Sequence, residues 1–421
     1  ARKAKQAGLI EVSQGKTIEN YETKLRELLA RRPHRMHLVE MRSLYTGSKY
    51  QECEEKLLKA ANHKVQPGAK KIMIEHSRKD LEKQSAEDTY NNLIKQGLEE
   101  KIAFAMLVMV KVRRPLEEVR AQLDSTLDAD ANFQPGALNE EQNSKLFAAQ
   151  KYAQELEEII SEDKNRFIIF DLLSLKEARG QIAGMLGYES DPEMPFQESI
   201  DLLMEAASMA RRLGSEHDQS RALGLAGKQM RIQAKTKIAQ HATEETPGLT
   251  LPRTKTSKLI LQNSLALLKE AFVPLHHISK KDIQQVAIRA DRIGALAEEI
   301  GLGIDRDLTD ESTRNSLIKR VKEMVEQDIT FLSEDPYFAP WVQNPVHCYY
   351  MLNCAPILSL AQKLNQEHES NIQIPHCPLV SPPALQKALT HLNKLPATDN
   401  EVLQAEMDRK RKIIQTFLVE L

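Results

Sequence analysis

Apolar residues recur every three to four positions along nearly the whole chain, and convincing alternation of apolar and polar residues is absent. That spacing predicts amphipathic helices and no significant sheet. In NYETKLRELLARR the residues Tyr21, Leu25, Leu28 and Leu29 form one stripe, which Pro33 ends because the residue before a proline is pushed out of helical geometry. SKYQECEEKLLKAANHK repeats the arrangement with Tyr50, Cys53, Leu57 and Leu58. The stretch from 67 to 114 reads as one long helix or two, with Gly97 as the break. Its run IAFAMLVMV (102–110) is about half of what a bilayer crossing needs, so it is expected in the middle of a buried helix. Pro115 suits the first turn of a new short helix, where a missing N–H is harmless.

Further helices are expected near 139–162, 164–186, 195–214, 216–242, 255–273, 279–301 and 309–332. Thr309 would cap the last of these, with Asp310 and Glu311 in its first turn, where the helix dipole favours negative charge. Two polar stretches interrupt the pattern: 124–142, with Pro135 and Gly136, and 242–256, with Pro247, Gly248 and Pro252. From 333 the texture becomes aromatic and richer in cysteine. The expected organisation is therefore an all-α, multi-helix bundle of two or three packed helical subdomains. Its parts are an N-terminal helical domain (1–130), a central one (137–243), a third helical segment (254–335) and a C-terminal subdomain (336–421). The helix lengths are too unequal for a fixed-period repeat.

Composition supports the helical reading and narrows the function. Leu, Ala, Glu, Lys and Gln dominate while aromatics are 5%, a balance that favours helix over sheet. At 421 residues and 41% hydrophobic, the chain can bury a sizeable core. Lys plus Arg (58) nearly cancel Asp plus Glu (60), so no overall field steers it to nucleic acid. Basic clusters at 111–114 (KVRR), 211–212 and 408–412 read mostly as solvated helix faces, with contact to an anionic membrane as the other reading. Four unevenly placed cysteines do not form a secreted disulfide framework, and the first residues lack a signal-peptide hydrophobic stretch. A cytoplasmic protein without a transmembrane segment is expected.

Candidate chemistry is sparse. His34 and His37 stand three apart, with Glu40 three further on, so all can share a helical face; His76 is the next imidazole considered. Together these four are the candidates for a metal- or histidine-dependent hydrolase or transferase. Pro33 and the arginines Arg31, Arg32 and Arg35 favour a polar helix junction over a dication site. His347, Cys348, Cys354, His376 and Cys377 lie close in sequence, yet no C-x-x-C or H-x₃-H pair occurs. RALGLAGKQ (221–229) lacks the first glycine and the Ser or Thr of a phosphate loop; its small residues Ala222, Gly224, Ala226 and Gly227 instead suit close helix approach. DADANFQPGALN (128–139) has Phe133 and Asn139 where a calcium loop needs Gly and Glu. No cofactor and no metal are expected.

The leading expectation is a non-enzymatic helical scaffold or adaptor that binds another protein. Tyr337, Phe338, Trp341, Tyr349 and Tyr350 are its partner-binding residues, because aromatic side chains dominate binding hot spots. The alternatives are the helical enzyme and a peripheral anionic-lipid binder. The overall texture, rich in Lys, Gln, Asn and Ile, is similar to that of helical effectors that intracellular bacteria deliver into host cells. That resemblance implies a protein partner in a host cytosol, and no motif attaches it to a family.

Overall fold

The computed structural model describes residues 85–98, 100–126, 138–162, 169–186, 194–243, 250–274, 283–302, 310–334 and 348–375, with a few positions beyond. These residues are helical almost throughout, and no strand occurs among them, so the chain is an all-α multi-helix bundle. No helix among them is long and apolar enough to cross a membrane. The chain divides into two compact units, one taking Ala1–Glu118 with Lys151–Asp171 and the other Val119–Gln150 with Leu172–Leu421.

In the first unit, α1 (Ala86–Lys95) starts at Ser85, whose hydroxyl accepts from the Asp88 amide at 3.1 Å. The Ala86 amide donates to Glu155 of α4 (Glu140–Glu162) at 2.7 Å, so a second open donor at the positive helix end meets a carboxylate. The helix stops at Gly97, where the spacing places a break. Gly97 takes a φ of 94°, and the amides of Gly97 and Leu98 close onto the carbonyls of Ile94 and Leu93. Only glycine adopts this left-handed cap without strain.

The next helix corrects two expectations. Pro115 begins no separate helix: α2 (Glu100–Leu107), a π-helical turn π1 (Val108–Arg113) and α3 (Arg114–Thr126) follow one another without a gap. A proline ring crowds the carbonyl four residues before it, and the widened turn just upstream accommodates it without ending the rod. The basic run 111–114 is not a solvated face either, since Lys111 is 1% and Arg113 2% exposed. The Lys111 ammonium lies 5.7 Å from the Tyr152 ring of α4, a cation–π contact that helps it stay inside. Apolar flanks from Ala103 to Val112 bury this whole turn, and they carry the two charges in with them.

The second unit is built from helices that alternate in direction: α5 (Ile169–Leu186), α6 (Met194–Arg212), α7 (Glu216–Thr243), α8 (Thr250–Phe272) and α9 (Ile283–Gly301). Pairings along each pair establish the directions. Lys176 meets Glu205 while Arg179 meets Glu198, so α5 and α6 are antiparallel. Arg231 meets Asp291 and Lys235 meets Glu298, so α7 and α9 are parallel. Between α6 and α7 the chain reverses at Gly214, with φ 65° and the Gly214 and Ser215 amides bonded back to Arg211 and Ala210.

Glycines let these helices approach closely. Ser199 of α6 donates to the Gly180 carbonyl of α5 at 2.6 Å, and Ser264 of α8 donates to the Gly227 carbonyl of α7 at 2.7 Å. A Cβ on Gly227 would meet Leu268 Cγ at 2.6 Å, and one on Gly224 would meet Ile288 Cγ1 at 3.1 Å. The small-residue run 222–227 thus lies at helix contacts. Gln229, fully buried, presses its amide on Gly184.

Beyond α9 the chain forms α10 (Glu311–Glu323), a second π-helical turn π2 (Met324–Ile329), α11 (Thr330–Glu334) and, further on, α12 (Cys348–His368). One apolar core joins Ile293 and Leu296 of α9, Leu317 and Val321 of α10, Val325 and Ile329 of π2, and Ile357 and Leu364 of α12. Cys354 is buried in that core as a small apolar side chain. After α12 the side chain of Asn365 clips the chain back: it accepts from Ser370 and the Ile372 amide and donates to the Ile372 carbonyl.

Candidate functional site

Helix α9 is buried over residues 291–299, yet it carries Asp291, Arg292, Glu298 and Glu299 in that span. A buried charge is costly unless paired, and each of these points to a different neighbour. Residues seven apart share a helical face, so Asp291 and Glu298 meet Arg231 and Lys235 of α7. The next face, one residue on, meets α8 and α10. Glu299, 0% exposed, accepts from Gln262 at 2.9 Å and from Arg320 at 2.6 Å. Arg292 donates to Glu323 at 2.9 Å and lies 3.1 Å from Asp328 of π2, which Arg289 also reaches at 2.5 Å. Phe272 and Phe331 cover Arg289, with its guanidinium carbon 5.0 Å and 4.2 Å from the ring centres.

Of these residues Gln262, Arg292, Arg320 and Glu323 line an open groove of about 600 Å³ between α8 and α10, with α9 beneath. Its floor is apolar, formed by Leu265, Leu296 and Met324, and two of these belong to the core below. Among the described residues its rim carries the cations Lys258, Lys269, Arg292 and Arg320 and the carboxylate of Glu323. Lys258 and Lys269 on α8, and Ser312 and Glu323 on α10, are each eleven residues apart, so the groove runs about 16 Å along its walls.

The rim is held by buried acids. Glu299 fixes Gln262 and Arg320 from below, and Asp328 fixes Arg292. Burial pushes the Asp328 carboxyl above the usual aspartate range, with Arg292 and Arg289 opposing that shift. Burial also pushes Glu323 up, but Lys269, 3.0 Å away, and Arg292 outweigh it and hold its carboxyl below the usual glutamate range. At the open end Asp310, not Thr309, caps α10: its carboxylate accepts from the Thr313 amide at 2.7 Å. The Thr313 hydroxyl and amide lower the Asp310 carboxyl. With that amide occupied, Ser312, Thr313 and Ser316 contribute side chains to the groove wall.

His34, His37, Glu40, His76, Tyr337, Phe338 and Trp341 lie outside the described residues, as does the 128–132 segment of the calcium-like loop. Tyr349 and Tyr350 fall in the first turn of α12, and their side chains lie outside the described set. Among the described residues no group of His, Cys, Asp and Glu side chains is arranged to hold a metal ion. Of the basic clusters, Arg211 and Arg212 are exposed at the α6 C-terminus. In the first cluster Lys111 and Arg113 are buried, and the half-buried Arg114 pairs with Glu118 at 2.6 Å.

The groove residues escaped the sequence reading. One signal was present: charged residues inside the apolar pattern of 283–301, which a buried helix tolerates only with partners on its neighbours. Comparison with protein-family models, with curated proteins and with solved structures yields no match. The groove is therefore interpreted from its own residues.

Proposed function

We propose that the chain is a non-enzymatic helical scaffold that binds a protein partner in the groove between α8, α9 and α10. The observation that supports this most directly is the anatomy of that groove: an apolar floor of Leu265, Leu296 and Met324 inside a rim of charges tethered by buried acids. Interfaces share this plan, with desolvated apolar contacts at the centre and polar groups around them. Tethering matters because side chains already ordered lose less entropy on binding. A cytoplasmic setting, in its own cell or a host cell, belongs to the same proposal and draws on the sparse, uneven cysteines.

The test is capture of partners by the immobilised protein and by Ala266→Trp and Ser316→Trp. Both positions are exposed groove-wall residues, so these substitutions fill the groove while sparing the core. The proposal expects a protein retained by the native chain and lost from both variants. Identical retention by all three would overturn it, as would turnover of a small molecule abolished by His34→Ala or His37→Ala.

A further inference from the structure

We infer that α8 pairs with the α8 of a second copy of this chain, the two helices running parallel about a two-fold axis along the stripe Leu259, Ala266 and Val273. This goes beyond the scaffold reading, because it assigns a further partner, the chain itself, to a surface beside the groove.

The apolar stripe comes first. Among the described residues four large hydrophobic side chains are exposed, and two of them stand here: Leu259 at 57% and Val273, in the turn that ends α8, at 61%. Ala266, also exposed, lies midway between them. Steps of seven residues at 100° each return to within about 20° of the same direction, so the three share one face. The other side of the helix is already covered. Leu261, Ser264, Leu268 and Ala271 are buried, with Ser264 on the Gly227 carbonyl of α7. Spacing by seven is that of a coiled-coil seam, and a small residue at its centre lets two axes approach to about 8 Å.

The flanks of the stripe decide what covers it. Asn263 and Glu270 border it on one side, Gln262 and Lys269 on the other. When two copies run parallel, the first flank of each meets the second flank of the other. Glu270 then faces Lys269 of the second copy, Asn263 faces its Gln262, and the two-fold axis makes each contact twice. In an antiparallel pair like flanks meet, so Glu270 faces Asn263, Lys269 faces Gln262, and neither charge finds its opposite. Two ion pairs therefore select the parallel arrangement. Glu270 is exposed and, among the described residues, pairs with no cation of its own chain. The Lys269 side chain is 63% exposed and has donors beyond the one it gives Glu323 at 3.0 Å.

Only one of the two seam positions is apolar, and the stripe is about 21 Å long, so the pair is weak. Sedimentation equilibrium of the full chain between about 1 and 200 µM is expected to show a monomer–dimer equilibrium with half-association at tens of micromolar. Leu259→Glu weakens it at least about tenfold, and thermal unfolding of that variant reports on the fold. Glu270→Lys and Lys269→Glu each weaken self-association about threefold, while their equimolar mixture restores it, because opposite flanks then match across the pair. Register is read by disulfide formation under mild oxidation, against the native chain as background: Leu259→Cys, Ala266→Cys and Val273→Cys each link to themselves. Linking of Ala266→Cys alone, with Leu259→Cys joining only Val273→Cys, would overturn the parallel pair. A monomer at every concentration would overturn the inference, as would a dimer indifferent to Leu259→Glu. Ser316→Trp fills the groove without touching the stripe and is expected to leave self-association unchanged. Loss of the dimer in that variant would place the second copy in the groove and overturn the stripe, whereas loss of partner capture alone bears only on the scaffold reading.

Discussion

Arg231 and Asp291 meet at 3.0 Å with side chains only 4% and 10% exposed, and the Arg231 guanidinium lies directly against the bare backbone of Gly294. Three elements of the packing meet there: the α7–α9 ion pair, the absence of a side chain at 294, and the parallel course of the two helices. Gly294→Ala would place its Cβ inside the van der Waals shell of the guanidinium carbon. Arg231 would then have to leave Asp291. Breaking a buried pair costs about 3–5 kcal/mol, against about 1 kcal/mol gained from alanine's helix propensity. A clear fall in the urea midpoint is expected. Gly224→Ala, whose Cβ meets only the side chain of Ile288, is the milder control. Equal stability of Gly294→Ala and the native chain would refute the close approach.

Arg320 and Glu299 form a second test of paired burial. Glu299 is fully buried and Arg320 is not, at 0% and 30% side-chain exposure. Arg320→Ala therefore strands a buried charge and should destabilise by about 3–5 kcal/mol. Adding Glu299→Gln removes the stranded charge, so the double variant should recover part of that loss. Denaturant curves for the four members of the cycle measure the coupling, and additivity would mean that the pair does not exist.

Acid should act through Glu323. Its carboxyl titrates below the usual glutamate value because Lys269 and Arg292 outweigh its burial. A lowered pKa in the folded state contributes stability that is complete above the unfolded value of about 4.3, and that is lost as pH falls through the folded value. Glu323→Gln should accordingly flatten the decline in unfolding temperature between about pH 5 and pH 3. An unchanged slope would show that the bridge contributes nothing.

The cap of α10 can be probed separately. Asp310→Ala removes the acceptor for the Thr313 amide, and Asp310→Ser restores one. Faster amide exchange over the first turn of α10 is expected for alanine and not for serine. Because Asp310 is also lowered by Thr313, native protection in that turn should hold above the ordinary aspartate pKa and decline as pH falls through the lower folded value.

The helices themselves were legible in the chain. Expected spans of 139–162, 195–214 and 216–242 correspond to Glu140–Glu162, Met194–Arg212 and Glu216–Thr243. Periodicity and local breakers such as Gly97 act over a few residues, so they can be read without knowing the partners. Errors arose where neighbours intervened. KVRR looked solvated because four residues contain three cations, and the apolar flanks together with Tyr152 bury two of them. Pro115 looked like a start because a proline inside a regular helix clashes, and the π turn removes the clash. A related feature is the serine-to-glycine-carbonyl contact that joins α5 to α6 and α7 to α8. The sequence repeats around the two serines as well, QESIDLLMEA (197–206) against QNSLALLKEA (262–271), and the aligned Leu203 and Leu268 lie against Gly180 and Gly227.

The amino-acid order alone determined that this protein is helical, where most helices begin and end, and that residues 222–227 suit close packing, because each of these depends on side chains within a turn or two. The groove was decided only by tertiary structure. Gln262, Arg292, Glu299, Arg320 and Glu323 come from three helices spread over sixty residues. No local spacing relates them, and their charges acquire a role only when burial of α9 forces each to find its counter-ion on a neighbour.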